Sequence, residues 1–318
     1  MDYTTMIMWL GFILAGYSVV GNDSIQTLGT FLSSNEERPW YLLWIYAGGI
    51  LTITLLIGWA NYNGDVSYGR LEKYPFVEDL SWPYLLPPLV LMILTRTGIP
   101  VSTSFLILTF FNPKNLQDMV EKSLLGYVVA FGLAILVYFA ITKTVEKRFI
   151  DNPIKKREKL LWTILQWCAT GYLWSMWLIQ DFANIFVYLP RTLSSTEIAV
   201  SLSILLFLLG YIFYSRGGSI QKIVKAKTNT VDIRSATIID FIYGTVLFFF
   251  KELSNIPMST TWVFIGLLAG REIAIRFQLS KKVGSNTWKM LGADLAKVFF
   301  GLVVSIALVY VMRWLTVS

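Results

Sequence analysis

Histidine is absent from the 318-residue chain, and cysteine occurs once, as Cys168. Without histidine the protein lacks the commonest metal ligand and the side chain that most often transfers protons near neutral pH. A single cysteine cannot form an internal disulfide, and we expect no thiol redox chemistry. Carboxylates, amides and hydroxyls are therefore the main polar groups left for binding.

Charged residues are also scarce: they make up 15% of the chain, whereas hydrophobic residues make up 55%. This balance is too apolar for an ordinary soluble domain. Several segments approach the roughly 20 apolar residues that a helix needs to cross a bilayer. They include 41–60, 123–141, 198–213 and 291–311. We therefore predict an all-α polytopic membrane protein.

The net charge of +7 reflects basic residues that concentrate in a few segments. Cytoplasmic loops of membrane proteins collect Lys and Arg, so we attribute this charge to loops rather than to an acidic partner such as nucleic acid. If the amino terminus is outside, the cytoplasmic segments hold eighteen basic residues and the external ones hold six. We predict a plasma (inner) membrane protein with both termini outside and a basic cytoplasmic linker at about 143–159.

Two unrelated features recur at nearly the same distance along the chain. "GIPVSTS" at 98–104 and "NIPMSTT" at 255–261 are 157 residues apart, and Asp23 and Asp181 are 158 apart. A shared offset of this kind indicates an internal duplication.

Each predicted repeat, 1–150 and 151–318, has the same order of segments. A long apolar region interrupted by polar residues is followed by a plain span, two short apolar arms and a last span. Because each arm is too short to cross comfortably, we predict a re-entrant helical hairpin, with tips near 97–104 and 254–261. A hairpin returns to the side from which it came, so each repeat crosses three times and the two repeats have inverted topology.

Asp23 and Asp181 fall inside predicted spans, where an ionised carboxylate costs roughly 2.5–3.5 kcal/mol on insertion scales. Asp23 could simply bond to another helix or pair with Arg96 or Lys251. Its duplication favours a functional role, because amide side chains accompany each carboxylate at the spacing of one helix face. Such oxygens suit Na⁺, and a carboxylate alone could carry a proton. The candidate cation ligands are Asn22, Asp23, Gln26, Gln180, Asp181 and Asn184.

Hydroxyl residues follow the proline of each predicted tip. Ser and Thr commonly cap helix amino termini, and a half-helix that begins at mid-membrane also presents free N–H groups and a positive dipole end. Two such tips facing each other would hold a tetrahedral oxyanion, bordered by the two aspartates. The candidate substrate-binding residues are Ser102, Thr103, Ser104, Ser259, Thr260, Thr261, Asp23 and Asp181.

These motifs resemble the inorganic phosphate transporter (PiT) family of cation-coupled symporters. "GNDS" and "IQDFAN" are each followed by a tip of the form Pro-x-Ser-Thr-Ser/Thr, and the similarity covers nearly the whole chain. Its strongest piece is "IPMSTTWVFIGLLAG" at 256–270. The resemblance implies an inverted-repeat fold in which the acidic motifs bind the coupling cation and the tips bind phosphate.

The chain departs from the family pattern at several places next to these motifs, including Ser104 at the end of the first tip and the lead "VVGND" into the first motif. Gln26 and Gln180 stand where the family commonly has Asn, and Phe105 and Trp262 stand where it has His after each tip. Because these positions border the predicted site, they bear on which anion and which coupling ion are used.

The resemblance implies a secondary active transporter that imports inorganic phosphate with Na⁺ by alternating access. The alternatives are a sulfate or other oxyanion permease of the same fold, H⁺ as the coupling ion, and a passive anion channel. We predict no enzyme activity, because the sequence offers no nucleophile and base arrangement. No cofactor is expected beyond the coupling ion; the expected partners are the oxyanion and the lipid bilayer, and a homo-oligomer is left open.

Overall fold

Apolar segments form long helices through the described part of the chain. The computed structural model describes residues 2–96, 102–142, 147–152, 154–215, 232–253, 257–278 and 285–317. Inside the helices, the side chains of Asn22, Gln26 and Arg96 are among those outside this description.

The first half contains five helices and a short sixth. They are α1 (Tyr3–Ser34), α2 (Trp40–Asn61), α3 (Leu86–Arg96), α4 (Thr103–Phe111), α5 (Leu116–Ile141) and α6 (Lys147–Asp151). Turns of 3₁₀ helix at Trp82–Leu85 and Pro113–Asn115 lead into α3 and α5. The second half follows the same order. Its helices are α7 (Lys156–Phe186), α8 (Ser195–Tyr214), α9 (Ile233–Leu253), α10 (Thr260–Gln278) and α11 (Ser285–Val317).

Five helical segments in the described part of the chain are long and apolar enough to cross a bilayer. They are Tyr3–Gly21, Trp40–Asn61, Pro113–Ile141, Ser195–Tyr214 and Ile233–Leu253. Large apolar side chains such as Phe207 (76% exposed) and Leu136 (70% exposed) lie on the outer surface, as they do in a protein surrounded by lipid. The chain is an integral membrane protein, and the predicted all-α class is confirmed.

The expected interruption of the first helix in each half is absent. Helix α1 continues through Asp23, and α7 continues through Asp181. Neither polar stretch contains proline, so the ladder of backbone hydrogen bonds is unbroken. Polar side chains inside a span need partners from other helices, but they do not need a break in their own helix.

The second hairpin also differs from the prediction of two short arms. Helices α3 and α4 have 11 and 9 residues, whereas α9 and α10 have 21 and 19. Each of the latter two is about 30 Å long. Helix α10 runs beyond the apolar segment and includes charged residues that contact their neighbours. The Arg271 guanidinium lies 5.4 Å from the centroid of the Tyr138 ring, and Arg276 pairs with Glu272 one turn away.

Several helix contacts have a counterpart when the two halves are exchanged. Helix α1 packs on α7, and α2 packs on α8. The contact of α1 with α8 matches that of α7 with α2, and the contact of α5 with α10 matches that of α11 with α4. The core therefore lies where the two halves meet.

Helices α1 and α7 run antiparallel. Phe12 and Phe186 pack together near one end, with ring centroids 5.2 Å apart, and Phe31 and Trp167 pack near the other at 5.3 Å.

Helices α2 and α8 run antiparallel too. The Trp40 ring packs against Tyr214 at 5.5 Å, whereas Trp59 Nε1 donates to the Leu193 carbonyl, just before α8, at 2.8 Å. In both of these pairs, the helix from the first half and the helix from the second half point in opposite directions.

Candidate functional site

Thr103, the first residue of α4, links the two duplicated aspartates. Its Oγ1 donates to Asp23 Oδ2 at 2.6 Å and lies 3.5 Å from Asp181 Oδ1. Asn184 Nδ2 donates to Thr103 Oγ1 at 3.1 Å and to Asp181 Oδ1 at 2.6 Å. All four side chains are buried. Four predicted site residues therefore form one group, which we call the Asp23–Asp181 cluster.

Three acceptor oxygens on α7 lie in or beside this cluster without a donor. Within the described residues, Gln180 Oε1, Asp181 Oδ2 and Asn184 Oδ1 are buried and have no hydrogen-bond partner. Leaving a buried acceptor unsatisfied costs about 1–3 kcal/mol. Gln180 Nε2 donates to the Leu247 carbonyl of α9 at 3.3 Å, so its amide contacts that helix. Unsatisfied oxygens of this kind can ligate a cation.

Serines cap the helices that follow the two predicted tips. Ser102 Oγ accepts from the backbone N–H of Phe105 at 3.2 Å, and Ser259 Oγ accepts from that of Trp262 at 3.3 Å. This spacing is the usual geometry of an N-cap. The amino termini of α4 and α10 are therefore ordered by their own hydroxyl residues.

The two tips also contact each other and their neighbours. Ser104 Oγ donates to the Met258 carbonyl at 3.2 Å. The Ser259 N–H donates to Ser123 Oγ at 2.8 Å, and Tyr243 Oη donates to the Thr260 carbonyl at 3.0 Å. Thr260 and Thr261 are buried beside them. Residues 97–101 and 254–256 of the predicted tips, and the side chains of Asn22 and Gln26, lie outside the described residues.

Ser123 and Tyr243 were not predicted as site residues. Ser123 opens a predicted span and Tyr243 lies within an apolar arm, so no local motif marks either one. Lys251, the alternative partner of Asp23, instead pairs with Glu252, with 2.9 Å between Nζ and Oε1.

Arg70 is a further residue that the sequence did not mark as part of the site. It belongs to the connection between α2 and α3 and is only 2% exposed. Its Nε donates at 2.8 Å to the carbonyl of Ile179, two residues before Asp181. Burial lowers the pKa of Arg70 to about 10, and the negative charge of Asp181 opposes this lowering. The guanidinium therefore stays protonated at neutral pH beside the cluster.

Compact turns hold Arg70 in place. The Asp65 carboxylate accepts from the backbone N–H groups of Ser67 at 2.7 Å and Gly69 at 2.8 Å. Tyr68 and Gly69 both have positive φ, at 58° and 74°. The signal that could have revealed this loop is "NGDVSYGR", where turn residues crowd around one arginine.

No protein-family model matches the sequence, and no curated protein matches it either. Among solved structures, the chain is similar to one described as the sodium-dependent phosphate transporter. The TM-score is 0.66 at 18% sequence identity, and the match covers 99% of this chain and 100% of the other. The likeness extends through both halves, including α1, α4 and α7, which carry the Asp23–Asp181 cluster. The chain therefore has the fold of a sodium-dependent phosphate transporter, as the resemblance in its motifs predicts.

Proposed function

We propose that the protein is a secondary active transporter that moves inorganic phosphate together with Na⁺. The observation that carries this proposal is the Asp23–Asp181 cluster: two duplicated carboxylates share one threonine at the amino terminus of α4. A solved structure of the same fold, described as the sodium-dependent phosphate transporter, supports the same substrate and ion.

The coupling cation would bind at the unsatisfied oxygens of α7. Asp181 Oδ2 and Asn184 Oδ1 are buried acceptors with no donor in the described structure, and Gln180 Oε1 beside them is a third. A hard cation satisfies carboxylate and amide oxygens without needing any donor. We assign Asp23 and Asn184 to the same cation site, and Asn22 and Gln26 join it as proposals from the duplicated motif.

Phosphate would bind at the amino termini of α4 and α10. Each helix end contributes roughly half a positive charge. The hydroxyls of Thr260 and Thr261 would add donors, and those of Thr103 and Ser104 would join them by turning from Asp23 and the Met258 carbonyl. The Ser104 contact with Met258 joins the two tips. Ser102 and Ser259, which cap these helices, would hold the donor groups in position.

Charge balance then explains why transport would be coupled. A phosphate ion brought beside Asp23 and Asp181 would face two carboxylates, which two helix ends and Arg70 only partly offset. Bound cations remove that repulsion, so anion and cation affinities rise together. Binding of one ion without the other would be unfavourable, as a symporter requires.

Alternating access would follow from the packing of the two halves. Helices α1 and α7, and α2 and α8, run in opposite directions, as inverted repeats require. We propose repeats at 1–150 and 151–318 that rock against each other around the Asp23–Asp181 cluster. The membrane would be the plasma (inner) membrane, with both termini outside.

Uptake of labelled phosphate into proteoliposomes tests the proposal. An inward Na⁺ gradient should raise uptake, and Asp23→Asn or Asp181→Asn should abolish the Na⁺-dependent part. Asp79→Asn, which changes an exposed loop carboxylate, should leave it unchanged. Thr103→Ser should keep activity because it keeps the hydroxyl, whereas Thr103→Val should lose it.

Other outcomes would select the alternatives. Uptake that follows a pH gradient and ignores Na⁺ would assign H⁺ as the coupling ion. Stronger competition by sulfate than by unlabelled phosphate would change the substrate. Anion current that needs no cation and survives Asp23→Asn would indicate a passive channel.

A further inference from the structure

The indole N–H of Trp262 is a buried donor without a partner. Trp262 is 2% exposed, and its Nε1 has no hydrogen-bond partner within the described residues. The backbone N–H of the same residue donates to Ser259 Oγ at 3.3 Å, so the indole N–H is the donor of Trp262 that stays open. Buried tryptophans usually find an acceptor for this group, because leaving a buried donor unsatisfied is costly. The open N–H therefore indicates an acceptor that the described protein groups do not supply.

Trp262 lies at the amino terminus of α10. It is the third residue of that helix, directly after Thr260 and Thr261. Long side chains of α-helices point back toward the amino terminus of their own helix. The indole ring therefore leans toward the helix end at which we propose that phosphate binds, and not along the body of α10.

The same ring also reaches the other tip. It packs edge to face against Phe105, the third residue of α4, with 5.5 Å between the ring centroids. Because both residues lie in the first turn of their helices, the indole lies between the two helix ends that would hold the anion. It packs at 5.5 Å against Phe299 of α11 as well. Aromatic contacts with two further helices thus hold the ring in position.

The two tips are unequal at this position. Phe105 and Trp262 are 157 residues apart and follow equivalent hydroxyl residues. A phenyl ring carries no polar atom, whereas an indole carries one donor and no acceptor. The hydroxyls of both tips can either donate or accept. Trp262 therefore adds to the second tip a group that can only donate.

An oxyanion is the ligand that fits this donor. Its oxygens are acceptors, and a hydrogen bond to a charged acceptor is roughly twice as strong as one between neutral groups. The indole N–H is itself uncharged, so it adds to anion binding without placing a positive charge beside the Asp23–Asp181 cluster. A cation bound at that cluster would therefore not be repelled by it, as it would be by a lysine or an arginine.

We propose that Trp262 is a substrate-binding residue and that its indole N–H donates a hydrogen bond to the transported oxyanion at the amino termini of α4 and α10. The location of the anion rests on the proposed function. The role of Trp262 rests on its unpartnered donor, its burial and its position between the two tips.

Replacement of Trp262 by phenylalanine removes the N–H and keeps an aromatic ring. Thermal shifts of the purified full-length protein against inorganic phosphate, in saturating Na⁺, measure the anion affinity. We expect Trp262→Phe to weaken phosphate binding about tenfold, as the loss of one hydrogen bond to a charged group does. Trp174→Phe is the matched control, because Trp174 is also buried but its Nε1 donates to the Ala47 carbonyl at 2.9 Å. It should lower the unfolding temperature and leave the phosphate affinity unchanged.

A second substitution removes the N–H while keeping the shape of the ring. The amino acid 3-benzothienylalanine, incorporated at position 262, has sulfur in place of the indole N–H and cannot donate there. It should weaken phosphate binding as Trp262→Phe does. If Trp262 served only to pack against Phe105 and Phe299, this protein would bind phosphate as the wild type does. This variant decides the question if Trp262→Phe aggregates on size-exclusion chromatography.

The outcomes separate this inference from the proposed function. If phosphate stabilises the wild type and both position-262 variants equally, the role of Trp262 is wrong while phosphate binding stands. If sulfate stabilises the wild type and phosphate does not, the proposed substrate is wrong, and weaker sulfate binding by the two variants would still support the hydrogen bond. If neither anion stabilises the wild type in Na⁺, both proposals fail.

Discussion

Phe105 and Trp262, which are 157 residues apart in the chain, pack edge to face with their ring centroids 5.5 Å apart. They occupy equivalent positions of the two proposed repeats, each next to a hydroxyl tip. Residues at equivalent positions of two repeats can touch only where the twofold axis that relates the repeats passes between them. The two departures from the family pattern after the tips are therefore one structural feature: an aromatic pair at the centre of the molecule.

A double-mutant cycle should detect this pair. We expect Phe105→Leu and Trp262→Leu to show a coupling energy of about 0.5–1.5 kcal/mol in unfolding free energy, the usual value for an aromatic pair beyond its buried area. Phe207, whose ring is 76% exposed on α8, provides the control, and its cycle with Phe105 should give no coupling. Denaturant unfolding in detergent measures both cycles, and equal coupling in the two would contradict the contact.

The sequence predicted the helical segments well because long apolar runs are a strong local signal. Segment 198–213 became α8 and 41–60 became α2, each extended by a few residues. The interruption at Asp23 was wrongly expected, because a polar residue was taken to imply a break. In a packed bundle the partner can come from another helix, here Thr103.

The site was predictable where residues were duplicated and not elsewhere. Asp23 and Asp181 are 158 residues apart, and the two tips are 157 residues apart. This nearly equal spacing identifies both pairs from the sequence alone. Arg70 has no duplicated counterpart that would identify it. It approaches the cluster only because its loop folds inward. Asp240 is visible in the sequence as a single acid in the apolar run "IIDFIYG". The hydroxyls of Thr30 and Thr170, which donate to its carboxylate, are identified only by helix packing.

Replacement of Arg70 should change the two ligand affinities in opposite directions. Arg70→Gln removes a positive charge beside Asp181, so we expect phosphate to bind about tenfold more weakly, the factor that corresponds to 1.4 kcal/mol. Na⁺ should bind more tightly, because it is no longer repelled. Thermal shifts measured against phosphate and against Na⁺ report each affinity.

Lys73→Gln is the matched control for Arg70. Lys73 lies three residues later in the same loop, and its side chain is 57% exposed, 3.9 Å from Asp118. The substitution should leave both affinities unchanged. If the two variants behave alike, the effect of Arg70 is a general charge effect and not a local one.

Close packing of α10 on α5 predicts a stability effect at Gly266. A Cβ atom at this position would lie 2.5 Å from the Tyr127 carbonyl oxygen, a backbone atom that cannot easily move. Small residues that let helix backbones approach are typical of membrane helix interfaces. We expect Gly266→Ala to destabilise the protein by about 1–3 kcal/mol, as overpacking usually does.

Gly49→Ala supplies the comparison for Gly266. A Cβ atom at Gly49 on α2 meets nothing within 4 Å, and alanine favours a helix by roughly 0.5–1 kcal/mol over glycine. The midpoint temperature of thermal unfolding should therefore be equal to or higher than that of the wild type for Gly49→Ala, and lower for Gly266→Ala. The reverse order would show that α5 and α10 are further apart than described.

The single native cysteine makes the predicted orientation directly testable. After Cys168→Ser, cysteines can be introduced at two exposed positions: Glu72 in the α2–α3 loop and Lys155 in the basic linker. The basic residues near the linker predict that it is cytoplasmic. A membrane-impermeant maleimide should label Glu72→Cys on intact cells, whereas Lys155→Cys should react only after permeabilisation.

A permeant maleimide should label both variants, which controls for thiol access, and the cysteine-free protein should stay unlabelled. The opposite labelling pattern would invert the whole chain, so that both termini and the α2–α3 loop would be cytoplasmic.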